Sequence, residues 1–181
     1  MQKVKMLKLS DSLLLLIDFQ EKLIPVIHDN GFISNSRKML EASHILEMPV
    51  IHTEQIPEKL GPTIAEFQEL LSKPAVSKVS FSACTPELLE ELAKFKCKQI
   101  LIAGIEAHVC VLQTVLELIE ANYEVHILCD CVSSRLESNC NIAIERMKLA
   151  GAIPSSAEMA IFELQKTASG DNFRKLLKVI K

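Results

Sequence analysis

The sequence predicts an α/β fold: a single-domain, three-layer α-β-α sandwich around a mostly parallel, doubly wound sheet. Two observations carry this prediction. Leu13-Leu14-Leu15-Leu16-Ile17 and Ile100-Leu101-Ile102-Ala103 are unbroken apolar runs, as expected of strands covered on both faces rather than strands with one wet face. Between such runs lie segments with apolar residues at helical spacing. Strands alternating with helices of roughly ten to fifteen residues imply βαβ units joined by right-handed crossovers.

The elements follow in order. Residues 13–17 form the first strand, closed by Asp18. From 33 to 48, Met39, Leu40, Ala42, Ile45 and Leu46 keep helical spacing among Arg37, Lys38, Glu41 and Glu47. Pro49-Val50-Ile51-His52-Thr53 predicts a short strand, and 62–71 a helix with Pro62 in its first turn. Residues 76–83 read as a strand or an extended loop around Lys78. Thr85-Pro86-Glu87 starts a helix with a capping hydroxyl, a proline at the first position and an acid in the first turn. Residues 98–104 are the clearest buried strand and feed a helix over 108–121. A strand at 123–130, a helix at 138–150, a last strand at 159–162 and a closing helix at 172–180 complete the chain. No repeat, linker or low-complexity tract interrupts it, so residues 1–181 read as a single domain.

Composition narrows the function. A chain of 181 residues that is 49% hydrophobic is large enough for one well-filled core. Twenty Lys and Arg against twenty-three Asp and Glu leave a net charge of −3, which offers no general attraction to nucleic acid or anionic lipid. The longest apolar run is far short of the roughly 18–20 residues that span a bilayer. Met1-Gln2-Lys3-Val4-Lys5 followed by the run at 13–17 imitates a secretion signal only faintly, because the apolar stretch is short and Asp18 ends it. A cytoplasmic location is expected. A mitochondrial one stays open, although no Arg precedes Arg37. The six cysteines contain no C-x-x-C pair, so neither a thiolate metal site nor a disulfide framework is expected. Asp18-Phe19-Gln20-Glu21-Lys22 follows the first strand without a glycine, which argues against a phosphate cradle and a nucleotide cofactor.

In doubly wound sheets, ligands bind where loops leave the carboxyl ends of the strands. Three residues fall there. Asp18 ends the first strand, where a carboxylate beside an apolar run has an adjustable proton affinity. Cys110 falls in the first turn after strand 98–104, where unpaired N–H groups favour a thiolate and suit a developing oxyanion. Lys78, near the end of the third strand, would stabilise both anions. Singly, each has an ordinary explanation: a loop-capping acid, a packing cysteine, a solvated lysine. Together they supply a base, a nucleophile and a cation. His108 lies two residues before Cys110, on the far side of a helix, and reads as a loop hydrogen-bonder. His52 lacks partner ligands for a metal.

The segments Leu-Ile-Asp-Phe-Gln at 16–20, Val-Ser-Lys-Val-Ser-Phe-Ser at 76–82, Gly-Ile-Glu-Ala-His-Val-Cys-Val-Leu-Gln-Thr at 104–114 and Glu-Val-His-Ile-Leu-Cys-Asp-Cys-Val-Ser-Ser-Arg at 124–135 resemble the isochorismatase-like cysteine hydrolase superfamily. The resemblance runs from Leu13 to about Phe162. Thr53-Glu54-Gln55 and Leu60-Gly61-Pro62-Thr63 look most like the isochorismatase domain-containing protein 2 branch. It implies a Rossmann-like sandwich, an Asp-Lys-Cys triad at Asp18, Lys78 and Cys110, and a non-proline cis peptide between Ile105 and Glu106. The N–H groups of Glu106 and Cys110 would then form an oxyanion hole. A homo-oligomer is implied as well.

Two departures refine the expectation. Ile51-His52-Thr53-Glu54-Gln55 lacks the Asp-x-His metal motif of nicotinamidases, so no metal is expected. Isochorismatases proper work without a cysteine nucleophile, so Cys110 points to attack on a carbonyl. The expected activity is hydrolysis of a small amide-like or related C–N substrate, with Phe19, Gln20, Gln55 and Phe81 shaping the substrate pocket. The alternative is a non-catalytic binding or scaffold protein that keeps the fold.

Overall fold

The computed structural model describes residues 6–28 and 31–181. Met1-Gln2-Lys3-Val4-Lys5, weighed above as part of a secretion signal, lies outside the described residues. Six strands, β1 (Ser12–Ile17), β2 (Val50–Gln55), β3 (Val76–Lys78), β4 (Gln99–Gly104), β5 (Glu124–Val132) and β6 (Ile153–Ser155), form one sheet in the order β3-β2-β1-β4-β5-β6. Every neighbouring pair is parallel. The two outer strands are the shortest, three residues each.

Both faces of the sheet are covered, and the two continuous runs show how. Leu13, Leu15 and Ile17 of β1, with Ile100 and Ile102 of β4, pack under α4 (Pro86–Phe95), α5 (Leu112–Glu120) and α6 (Glu137–Leu149). Leu14 and Leu16, with Leu101 and Ala103, face the opposite layer of α1 (Phe32–Ile45), α7 (Ala157–Gln165) and α8 (Gly170–Ile180). Each fully buried leucine or isoleucine is worth about 1.5–3 kcal/mol of apolar burial, so a strand with no polar alternation is what a two-sided core selects. Among the described residues no helix is long and apolar enough to cross a membrane.

The expected strand at 159–162 is instead part of helix α7, and the sixth strand is the shorter Ile153–Ser155. Ser156 caps the helix by accepting from the Met159 N–H at 3.2 Å. Ala157, Ala160, Ile161 and Leu164 are buried at helical spacing while Met159 and Phe162 are exposed. A four-residue apolar run has no period of its own, and here the cap decides it. The helix expected over 62–71 shrinks to the single turn α3 (Ala65–Gln68), because Thr63 is held in a bridge to Gln20. A second short turn, α2 (Pro57–Leu60), follows β2.

The sheet reverses its winding between β1 and β4, and the crevice opened there carries the site. The two strands are pinned together at their carboxyl ends. Ile17 is in register with Gly104, and the Ile105 N–H donates to the Ile17 carbonyl at 3.0 Å. Gly104 has φ +148°, and a Cβ there would stand 2.4 Å from the Ile17 oxygen. Directly beyond, Asp18 takes a left-handed φ of +56°, which a short polar side chain tolerates. Gly104→Ala is expected to lower stability by about 1–3 kcal/mol through this clash and the strained φ, measured as a drop in the denaturant midpoint.

Candidate active site

Asp18, Lys78 and Cys110 come from three strand ends and meet at this crevice. Lys78 Nζ donates to Asp18 Oδ2 at 2.6 Å, and both side chains are 0% exposed. The other carboxylate oxygen, Oδ1, accepts from Thr53 Oγ1 at 2.7 Å. Lys78 also donates to Gln55 Oε1 at 2.7 Å and to the carbonyl of Phe81 at 3.1 Å, with the Ser80 carbonyl at 3.4 Å. A buried ion pair costs several kcal/mol of desolvation per ion, and it survives only where further hydrogen bonds satisfy both partners, as here.

Cys110 lies in a π-helical turn, Ala107–Val111, that leads into α5. The Val111 N–H reaches back five residues to the Glu106 carbonyl at 3.2 Å. Thr114 Oγ1 donates to the Cys110 carbonyl at 2.6 Å and accepts from the Ala83 N–H at 2.9 Å. Ser82 Oγ donates to Glu117 at 2.7 Å. These bonds stitch the loop after β3 to the start of α5, and so hold Lys78 in place relative to the sulfur. The peptide joining Ile105 to Glu106 is cis. The Glu106 N–H has no acceptor among the described residues.

Burial, then the charge of Asp18, push the Cys110 thiol up to about 12, and Lys78 pulls it down by less. The thiolate expected at this helix start is therefore disfavoured, and Cys110 is a thiol beside a paired carboxylate. All six cysteines are free, and His108 Nδ1 sits 2.9 Å from Ser134 Oγ, as a loop hydrogen-bonder would.

A cavity of about 280 Å³ opens onto Asp18 and Cys110, with Lys78 behind Asp18 and outside the lining. Asp18, Gln55 and Cys110 supply its buried polar lining, and Leu23, Ile56, Leu60, Ile105 and Val109 supply apolar walls. Phe81, 57% exposed, lines it as well, together with Lys59 and Glu106. Glu106 is paired with Arg135 at 3.0 Å. A larger hollow of about 590 Å³ lies between β2 and α4, but it contains none of the three residues and is lined by charged groups such as Lys73, Glu87 and Lys94. No group of three or more His, Cys, Asp or Glu suited to a metal occurs among the described residues.

Two residues expected in the pocket are elsewhere. Phe19 is buried in the α1 layer, with its ring 5.9 Å from Phe32 and 4.8 Å from Phe67. Strict alternation past Ile17 would send it to the other side; the left-handed turn at Asp18 breaks that phase. Gln20 is fully buried and acts on the backbone, donating to the carbonyls of Gln55 at 3.1 Å and Gly61 at 2.7 Å. It does not line the cavity. Gln55 does, and its oxygen is 3.8 Å from Cys110 Sγ. Thr53 is the contact that reading single motifs missed. Its place opposite Ile17 in the β1–β2 register is the signal that locates it.

Comparison with known proteins places the family and the fold. The sequence profile of the isochorismatase domain matches residues 12–159. Isochorismatase family protein 1B of Dictyostelium discoideum is 38% identical over 180 residues, covering 94% of this chain and 86% of its own. Isochorismatase domain-containing protein 2A of Mus musculus is 37% identical over 172 residues, covering 94% and 82%. A solved structure described as MAR1 ribonuclease from Caenorhabditis elegans superposes with a TM-score of 0.91 at 36% identity, covering 97% of this chain and 92% of that one. The YcaC gene product of Escherichia coli, described as an octameric hydrolase of unknown specificity, gives a TM-score of 0.92 at 23% identity over 99% and 92%, a likeness of fold.

Two outcomes follow from the electrostatics. Lys78→Met strands a buried carboxylate and should cost about 3–5 kcal/mol in urea unfolding, whereas Asp18→Asn with Lys78→Met, which removes the charge but keeps a side chain suited to the left-handed backbone, should recover most of that loss. Iodoacetamide labelling of Cys110, followed by peptide mass mapping, should be slower at pH 8 than that of free cysteine. The rate should still be climbing at pH 10, because only the thiolate reacts and its formation is displaced toward about 12.

Proposed function

The chain belongs to the isochorismatase family, and from that premise we propose that it is a cysteine-dependent hydrolase of small amide-like substrates, worked by Asp18, Lys78 and Cys110. The observation that carries this reading is the Asp18–Lys78 pair, 2.6 Å apart and wholly buried, with Asp18 lining the same cavity as Cys110. A pair so costly to bury contributes little to packing there, and it suits a proton acceptor that must sit beside a thiol.

The reaction runs in two halves. Asp18 takes the Cys110 proton as the sulfur attacks the substrate carbonyl, so an S–H bond breaks while C–S and carboxyl O–H bonds form. The carbonyl electrons move to oxygen, where the Glu106 N–H, without an acceptor among the described residues, and the Cys110 N–H offer donors. Each such donor is worth about 3–4 kcal/mol in acyl transfer. Collapse expels the amine with the proton held by Asp18 and leaves a thioester. Water, deprotonated by Asp18, then releases the acid and restores the thiol. Lys78 stays an ammonium throughout and balances whichever neighbour is anionic.

The size and lining of the cavity favour a small substrate over an RNA strand. About 280 Å³ with apolar walls accommodates a compact molecule, and a chain of net charge −3 lacks the cationic track that a polynucleotide needs. Homo-oligomerisation belongs to the same reading and is supported by Val79 and Phe81, apolar side chains left 79% and 57% exposed beside the site. The cytoplasmic location is carried forward with it.

The test is turnover of a panel of small aliphatic and aromatic amides, followed by ammonia or amine release. Asp18→Asn and Cys110→Ser should each lose at least about 10²–10⁴-fold in rate with folding intact, and protein quenched during turnover should carry an acyl mass on the Cys110 peptide. Unchanged rates in both variants would sink the mechanism. Saturable amide binding without any turnover would favour the scaffold reading, and Cys110-dependent cleavage of single-stranded RNA would replace the substrate class.

A further inference from the structure

Gln55 occupies an unusual position between the two charged residues and the sulfur. Its carboxamide oxygen accepts from Lys78 Nζ at 2.7 Å and from the Cys110 thiol at 3.8 Å. Its orientation is fixed from every side. Nε2 donates to the Val79 carbonyl at 2.7 Å, the Gln55 N–H donates to Gln20 Oε1 at 2.7 Å, and the Gln55 carbonyl accepts from Gln20 Nε2 at 3.1 Å. The residue is 7% exposed. A rigid, neutral acceptor therefore points at ammonium and thiol together.

Counting protons shows what this does. An ammonium has three N–H donors. Asp18 Oδ2 at 2.6 Å, Gln55 Oε1 at 2.7 Å and the Phe81 carbonyl at 3.1 Å use them, with the Ser80 carbonyl sharing one at 3.4 Å. Four oxygens thus compete for three N–H groups, and the sulfur is left with only a weak share of Lys78. Asp18 accepts from Thr53 at one oxygen and from Lys78 at the other, and each oxygen keeps a second lone pair for the proton it takes in the reaction.

We infer that Gln55 is a positioning residue that keeps Cys110 a thiol until Asp18 takes its proton, by holding the Lys78 N–H that would otherwise turn onto the sulfur and by accepting the S–H itself. The inference rests on the proposed role of Cys110 as nucleophile and adds a restraint to it. Thiolate forms only in the step where Asp18 takes the proton: the S–H bond breaks, the carboxyl O–H bond forms, and Lys78, relieved of its carboxylate, turns to the sulfur. A nucleophile guarded in this way is spared reaction with oxidants and stray electrophiles between turnovers.

The charged groups around Cys110 are Asp18 from the end of β1, Lys78 from the end of β3, Lys59 from α2, and Glu106 from the β4–α5 connection, the last paired with Arg135. Gln55 is neutral, so its influence runs through hydrogen bonds and the carboxamide dipole, and its sign is fixed. Removing the oxygen takes a partial negative charge away from the sulfur, frees a Lys78 N–H and deletes the acceptor of the S–H. All three changes favour thiolate. A carboxylate in its place opposes thiolate.

The test is the pH profile of iodoacetamide labelling at Cys110 in Gln55→Met and Gln55→Glu, read by peptide mass mapping with thermal melts to verify folding. Gln55→Met should shift the labelling midpoint down by at least one pH unit, about tenfold faster labelling at pH 8, and Gln55→Glu should shift it up. Unchanged midpoints, or shifts of the same sign in both variants, would overturn the assignment, since loosened packing alone moves both alike. If Gln55→Met does not fold, the near-isosteric Gln55→Glu decides by its sign: a lower midpoint overturns the inference. Labelling needs no substrate, so this result stands apart from the amide turnover experiment.

Discussion

An ammonium and a carboxylate in direct contact, both sealed from water, impose the main constraint on this molecule. Neither charge tolerates loss of the other, so everything that brings Asp18 and Lys78 together has to be rigid. The sheet supplies that rigidity. β1 is central and pinned on both sides, and Asp18 follows its last residue. β3 is an edge strand of only three residues, and Lys78 is its last. The distance from centre to edge is bridged by the long lysine stem and held by Gln55 and the loop carbonyls.

The third member comes from the other side of the winding reversal. Close approach of Gly104 to Ile17 brings the end of β4 against the end of β1, and the cis peptide and π turn follow at once. The loop after β3 is tied to α5 through Thr114, Ser82 and Glu117. Strand pairing thus fixes Asp18 against Cys110, and loop-to-helix bonds fix Lys78 against both. Burial dominates at the sulfur and Asp18 adds to it, so the thiol is pushed up to about 12 although Lys78 pulls the other way.

Much of this was legible in the sequence, for reasons that differ by residue. The unbroken run at 13–17 and the run at 100–103 announced two-faced strands, because only a strand buried on both sides can do without polar alternation. Asp18 was legible because an acid closing such a run is anomalous. Helix α7 was misread because Met159-Ala160-Ile161-Phe162 is too short to have a period, and the Ser156 cap was not weighed against it. Phe19 and Gln20 were drawn to the pocket by adjacency to Asp18, whose left-handed backbone reverses which side its followers face. The upward shift of the Cys110 thiol was out of reach, since it depends on how deeply the sulfur is buried and how near Asp18 stands, which only assembled coordinates reveal.

The brevity of the outermost strands has a further consequence. A parallel sheet inside a chain that is 49% hydrophobic would make an adhesive template if its margins were long and flat. Here each margin is a three-residue stub, one of them interrupted by Pro154, which has no amide hydrogen to offer a neighbouring molecule. The same economy that leaves Lys78 at the tip of a stub protects the protein from runaway edge-to-edge aggregation at high concentration.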